Sequence, residues 1–173
     1  WGVRLGMLTW NEENQLACGA GGDPDRGLTP LGREAMRRMQ ARGILPDVSH
    51  TSDRSFWDIL KLAEGPVVAS HSNCRALCDV RRNLTDEQLR AIRDTGGVIG
   101  VNVYHGFVHA EPRMQTAAML ARHAAHIAET IGPEHVACGF DFCEYFGPGN
   151  EGCEGMENCA QTGNFFFELE RLG

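Results

Sequence analysis

The sequence predicts an α/β fold, and within that class part of a (β/α)8 barrel of the TIM type. Three observations carry that expectation. Five short apolar, β-branched or glycine-containing runs read as strands, at residues 4–10, 44–50, 67–71, 98–104 and 136–142. Helical patterns separate them, and strand–helix repetition with short connections implies parallel strands joined by right-handed crossovers. Counted back in twos from its end, each run carries small or modest side chains on one face and finishes in a large functional one. The five faces are Trp10-Leu8-Gly6, His50-Val48-Pro46, His71-Ala69-Val67, Tyr104-Asn102-Gly100 and Asp141-Gly139-Ala137. That pattern suits a barrel interior with a site at its C-terminal rim better than an open, doubly wound sheet. Such runs make about five of eight βα units. A single incomplete domain, 1–173, lacking the N-terminal units is therefore expected. The chain opens at Trp1 within what reads as strand and stops at Leu172-Gly173 just after a helical pattern, as a fragment would.

The helices between the strands carry their own signals. Thr29-Pro30 supplies an N-cap followed by proline at the first helical position, after which Met36 and Met39 recur at helical spacing. Residues 52–63 carry Phe56, Trp57, Ile59 and Leu60. Thr85-Asp86-Glu87-Gln88 reads as a capping box, with Leu84 and Leu89 placed as its hydrophobic staple. Residues 114–131 align Met119, Leu120, His123, Ile127 and Ile131 on one stripe. Gly43, Gly65, Gly96 and Gly132 stand where a left-handed residue would end each helix before the next strand.

Composition narrows the function classes. With 42% hydrophobic residues the chain can bury a sizeable core. Its net charge is −7 and it contains no basic block to track a phosphate backbone, which excludes nucleic acid as a partner. The longest apolar runs are too short to cross a bilayer. Seven cysteines, an odd number without a C-x-x-C pair, argue against a zinc knuckle and against a paired disulfide framework. A reducing, cytoplasmic location follows from that count.

Candidate chemistry gathers at the strand ends. His50 and His71 each end a strand with serine just before, where two neutral imidazoles on neighbouring strands could reach one metal ion. Asp141 is an acid inside an apolar run, which is costly unless paired, metal-bound or functional. Arg81-Arg82-Asn83 follows the His71 strand and offers a guanidinium fork for a carboxylate; pairing with Asp79 or Asp86 is the alternative. His123 and His126 have helical spacing, but His123 falls on the apolar stripe and reads as packing. The loop Cys18-Gly19-Ala20-Gly21-Gly22 lacks the spacing of a nucleotide-binding motif. Residues 147–163, rich in Gly, Glu and Cys, read as a long rim loop or lid.

Taken in order, the motifs resemble the membrane dipeptidase (renal dipeptidase) family of zinc peptidases. They are Met7-Leu8-Thr9-Trp10-Asn11-x-x-Asn14, Gly27-Leu28-Thr29-Pro30-Leu31-Gly32 and Asp47-Val48-Ser49-His50. Ser70-His71-Ser72-Asn73, Arg81-Arg82-Asn83-Leu84-Thr85-Asp86 and Gly139-Phe140-Asp141-Phe142 complete the series. The resemblance implies a metal-dependent barrel that hydrolyses dipeptides with two zinc ions bridged by a glutamate and a water. By it, His50 and His71 match the histidines that bind one zinc. Arg82 matches the arginine that holds the substrate's C-terminal carboxylate, and Asp141 the aspartate that contacts substrate and shuttles the proton. Tyr104 joins Arg82 and Asp141 as a substrate-binding residue, and a homodimer is the assembly expected. The chain also departs from the family. The family's H-x-D motif and bridging glutamate would fall before Trp1, so the 173 residues alone are expected to be inactive. Trp10 stands where mammalian members carry a substrate-contacting histidine, as is usual in one bacterial branch. The family's D-F-D-G reads Asp141-Phe142-Cys143-Glu144. Two other functions compete: a metal-dependent amidohydrolase acting on another small amide, and a catalytically silent barrel used for binding.

Overall fold

In the computed structural model, which describes residues 2–173, strands and helices alternate along most of the chain. The order is β1 (Leu5–Met7), α1 (Pro30–Gln40), β2 (Leu45–Asp47), α2 (Asp53–Leu62), α3 (Asp86–Asp94), β3 (Ile99–Val101), α4 (His105–Val108), α5 (Ala117–Ile131), β4 (Val136–Cys138) and α6 (Thr162–Leu172). Trp1, read from the sequence as lying within strand at the start of the chain, lies outside the described residues. Two compact units result, one holding residues up to Ser70 together with Arg90–Val98, the other His71–Leu89 with Ile99–Gly173. No helix among the described residues is long and apolar enough to cross a membrane.

In the first unit β1 pairs in parallel with β2, Gly6 opposite Pro46. The ladder continues through backbone bonds from Val68 N to Pro46 O (3.0 Å) and from Val48 N to Val68 O (2.8 Å), then from Ala69 N to Val98 O (3.0 Å). The strands therefore lie side by side in chain order, as strand–helix repetition demands. Thr29 caps α1 by accepting from Gly32 N at 3.0 Å, with Pro30 at the first helical position. Gly32 is required there for a second reason, since a Cβ would sit 1.9 Å from the Leu16 carbonyl oxygen. Ser52 caps α2 through Ser55 N. Met36, Phe56, Ile59, Val67, Ala69 and Ile92 are fully buried and form this unit's core, each large side chain contributing about 1.5–3 kcal/mol.

In the second unit β3 pairs in parallel with β4, Gly100 opposite Ala137. Ser72 N donates to Gly100 O (2.7 Å) on one flank, and Val103 N donates to Phe140 O (2.9 Å) on the other. The box before α3 closes reciprocally: Gln88 N donates to Thr85 Oγ1, and Thr85 N donates to Gln88 Oε1. Helix α5 buries Leu120, Ala121, Ala124 and Ile127, and α6 packs beside it with Phe165 buried.

Several expectations need correction. Strands β1 to β4 are three residues long rather than seven. The run at 67–71 forms no strand of its own, Val68 joining Asp47 in an isolated parallel bridge. His50 (φ 69°) and Asp141 (φ 59°), at or near the ends of the second and fifth runs, adopt left-handed backbone. No other non-glycine among the described residues has positive φ. The Gly6 face of β1 looks at helix α1, not at an interior: a Cβ there would meet Met39 Cε at 3.0 Å and Ile44 Cγ2 at 3.4 Å. Helix α5 starts at Ala117 rather than 114, because Pro112–Met114 forms a separate 3-10 turn and Thr116 is the cap. Gly43 and Gly96 do take positive φ, but α2 ends at Leu62 with Ala63 already extended, so Gly65 is not a cap. Gly132 has positive φ with ψ 143° rather than a helical ψ; Pro133 follows, and a residue before proline avoids helical backbone. In the expected rim loop Gly152 pairs with Tyr104 and Glu154 with Thr116, and the loop ends earlier than expected, since Gly163 lies inside α6.

Candidate active site

In the first unit, the C-terminal end of β2 leads directly to His50. Its ring Nδ1 is 2.7 Å from Asn11 Oδ1. An amide oxygen only accepts, so Nδ1 is the donor in this contact. Trp10 flanks the same imidazole, with ring centroids 6.0 Å apart. Just upstream, the buried Asp47 carboxylate accepts from Ser49 N (3.0 Å), Ser70 N (3.0 Å) and Ser70 Oγ (2.5 Å). Those three bonds offset the cost of burying the charge and fasten the turn before His50 to the neighbouring strand end.

In the second unit, His71, Arg82 and Asp141 come together. Asp141 Oδ2 is 3.9 Å from His71 Nε2, and Arg82 Nη2 is 3.5 Å from the His71 carbonyl oxygen. The Arg82 guanidinium lies over the Phe107 ring, 5.1 Å from its centroid. Tyr104 packs against that same ring at 4.8 Å. Asn102 Nδ2 donates to Asp141 Oδ2 at 3.2 Å while its Oδ1 accepts from Tyr104 N at 2.7 Å. On the other carboxylate oxygen Cys143 is the neighbour, Sγ to Oδ1 3.7 Å. Burial first, and then the Asp141 charge, push the Cys143 thiol up, so it stays protonated and donates. Asp86, offered as an alternative partner for Arg82, accepts from His126 Nε2 at 2.8 Å.

Sequence reasoning singled out His71, Arg82, Asp141 and Tyr104, and these four lie within one connected set of contacts. His50 belongs to the other unit, with Asn11 and Trp10. Asn102, Asn73 and Asp47 were not singled out as site residues, although polar side chains inside Val101-Asn102-Val103 and Pro46-Asp47-Val48 were the available signal. His123 is packing, as expected: it is fully buried, its Nδ1 accepts from Cys74 N at 3.0 Å, and its Nε2 donates to Val108 O at 2.8 Å. Burial holds its pKa down at about 4.

A metal is the cofactor to test against these donors. Among the described residues no group of three or more His, Cys, Asp or Glu side chains is placed to hold an ion. The donor chemistry nevertheless fits in part. His50 has its Nδ1 anchored to Asn11 Oδ1, and a hydrogen bond from one ring nitrogen is the arrangement that orients histidine ligands.

Comparison with known proteins agrees with the motifs. The family described as "Membrane dipeptidase (Peptidase family M19)" matches residues 1–173. An uncharacterized protein in the pqqA 5' region of Klebsiella pneumoniae is 41% identical over 150 residues, covering 82% of this chain and 55% of that protein. An uncharacterized dipeptidase of Schizosaccharomyces pombe is 39% identical over 147 residues, covering 82% of this chain and 35% of that protein. A metallo peptidase from Rhodobacter sphaeroides, solved with a phosphinate mimic of the dipeptide L-Ala-D-Ala, superposes with a TM-score of 0.86 at 29% identity. The dipeptidase AC structure gives 0.87 at 28%. These cover 99% of this chain, but 50% and 51% of the respective structures. The chain thus spans about half the length, or less, of the relatives it matches. Its mixed α/β fold is that of the metallo-dipeptidases, and the chain belongs to the membrane dipeptidase family.

Proposed function

We propose that this chain supplies part of the active site of a zinc-dependent dipeptidase that cleaves the peptide bond of small dipeptides. The observation that carries the proposal is the grouping of Arg82 and Asp141 about His71, in a chain that matches the family along all of its residues. His50 and His71 are the side chains that would hold zinc. When bound, the metal supplies Lewis acidity, polarising the amide carbonyl and lowering the pKa of the attacking water. Arg82 binds the substrate's C-terminal carboxylate through two parallel N–H bonds, and the Phe107 face keeps its guanidinium plane oriented. Asp141 takes the proton from the attacking water and returns it to the leaving amine. Tyr104 borders the bound dipeptide beside Arg82.

The proposal includes the architecture. Parallel strands in chain order within each unit are what a singly wound barrel requires. The chain is accordingly read as a single domain contributing about five of the eight βα units. Seven free thiols favour a reducing cytoplasm. A second copy of the protein, in a homodimer, completes the partners.

The test uses the full-length gene product. It is expected to hydrolyse a simple dipeptide, to lose activity to a chelator and to recover it with zinc. His71→Ala should abolish metal retention, measured by elemental analysis after gel filtration, together with turnover. An activity indifferent to chelation, or a His71→Ala protein with full activity and metal content, overturns the proposal.

A further inference from the structure

We infer that Asn102 is the positioning residue for Asp141, acting on dipeptide hydrolysis only by holding that carboxylate; the inference rests on the function proposed above. Asn102 follows β3 and is fully buried between Val101 and Val103, where an unsatisfied carboxamide would be costly. Its bonds assign both ends. The Oδ1 atom accepts from Tyr104 N (2.7 Å), which requires the amide nitrogen to be the atom facing Asp141 Oδ2 at 3.2 Å. No exchange of oxygen and nitrogen would satisfy both neighbours, since Tyr104 N only donates and a carboxylate accepts.

The backbone of Asn102 is fixed just as firmly. Asn73 Oδ1 accepts from Asn102 N (2.9 Å), and Asn73 Nδ2 donates to Asn102 O (2.9 Å) and to Phe107 O (3.2 Å). One buried side chain thereby fixes the backbone of residue 102 as a neighbouring strand fixes β3, while Tyr104 N and Asp141 Oδ2 orient the carboxamide. Asp141 needs such a support. Its backbone is left-handed, a conformation rare for a residue with a Cβ, and its side chain is 41% exposed, free of the packing that would otherwise fix a rotamer. Cys143, 3.7 Å from the other oxygen, is a weak thiol donor. Asn102 is thus the buried neutral donor that sets where Oδ2 points, toward the His71 ring.

The experiment is a double-mutant cycle on the full-length protein, crossing Asn102→Ala with Asp141→Asn. Two quantities are read: kcat/KM for a dipeptide, and the calorimetric Kd for a phosphinate dipeptide mimic. Asn102→Ala is expected to lower kcat/KM about tenfold in the parent and less than about twofold in the Asp141→Asn background. The Kd should weaken in the parent background only. A residue serving the fold alone would give equal fold-losses in both backgrounds, and that additive result overturns the inference. Asn102→Thr, which keeps a strand-compatible side chain of similar volume, is the second variant. If neither variant folds, Asn102 serves the fold and the inference falls. A parent protein inactive on dipeptides, or an Asp141→Asn protein as active as the parent, instead overturns the proposed function itself.

Discussion

Lowering the pH should weaken the protein through one buried histidine, by an amount the structure sets. His123 is fully buried on α5, neutral, with Nδ1 accepting from Cys74 N and Nε2 donating to Val108 O. Burial holds its pKa at about 4, against 6.5 for the free side chain. Above pH 6.5 neither the folded nor the unfolded chain binds this proton, and the group has no effect on stability. As pH falls from 6.5 toward about 4 the unfolded chain takes the proton and the folded one does not, so stability is lost across that window and levels off below it. At about 1.36 kcal/mol per pH unit, the loss is about 3 kcal/mol. The assay is urea unfolding at pH 7, 6, 5 and 4.5, comparing the parent with His123→Asn. The variant starts less stable but should lack this part of the pH slope, so the two curves converge by about 3 kcal/mol on acidification. Parallel curves would refute the argument. The consequence reaches the candidate site, because Cys74 directly follows Ser70-His71-Ser72-Asn73.

Three further outcomes are expected. In the native state an aromatic disulfide reagent should label the exposed Cys138 and Cys159 first, while Cys18, Cys74, Cys78 and Cys153 react only on unfolding; the Cys153 thiol is pushed up to about 12, chiefly by burial. Early loss of the Cys74 thiol, followed by mass spectrometry, would contradict its packing against His123. Gly97→Ala should destabilise by about 1–3 kcal/mol, because its Cβ would lie 1.7 Å from the Val67 carbonyl oxygen, whereas Gly65→Ala, with nothing within 4 Å, should be neutral or slightly stabilising in thermal melts. Asp47→Asn sets an amide donor against the N–H and O–H donors of Ser49 and Ser70. A loss of about 1–3 kcal/mol in denaturant unfolding is expected.

Much of the fold was legible where the signal is local. Thr29 with Pro30, and Thr85 with Gln88, cap their helices as the residue types dictate, since a cap needs only three or four adjacent residues. Strand extent was less legible. Alternation of side chains says which residues suit a sheet, but not how many of them pair. No run forms a strand longer than three residues, and the left-handed backbone at His50 and Asp141 carries no signal in that alternation. Counting in twos also placed Gly6 on the wrong face of β1, because a glycine is equally compatible with an interior and with the close approach of Met39. At the candidate site, charged and imidazole side chains were conspicuous against apolar surroundings. Asn102 and Asn73 were not: an asparagine is as common in turns, and its value here comes from a partner 29 positions away in the chain.

The left-handed backbone at His50 and Asp141 gives these positions an unusual tolerance profile. At most positions, replacement by glycine costs stability through added freedom of the unfolded chain. Here glycine would relieve an unfavourable conformation worth about 1–2 kcal/mol, and asparagine would fit with little penalty, whereas valine, isoleucine and threonine would be strongly rejected. A saturation library scored for folding alone should therefore favour glycine and asparagine at residues 50 and 141, and one scored for turnover should retain histidine and aspartate. Divergence between the two scores at these two positions would mark them as sites where the protein keeps a strained residue for its chemistry.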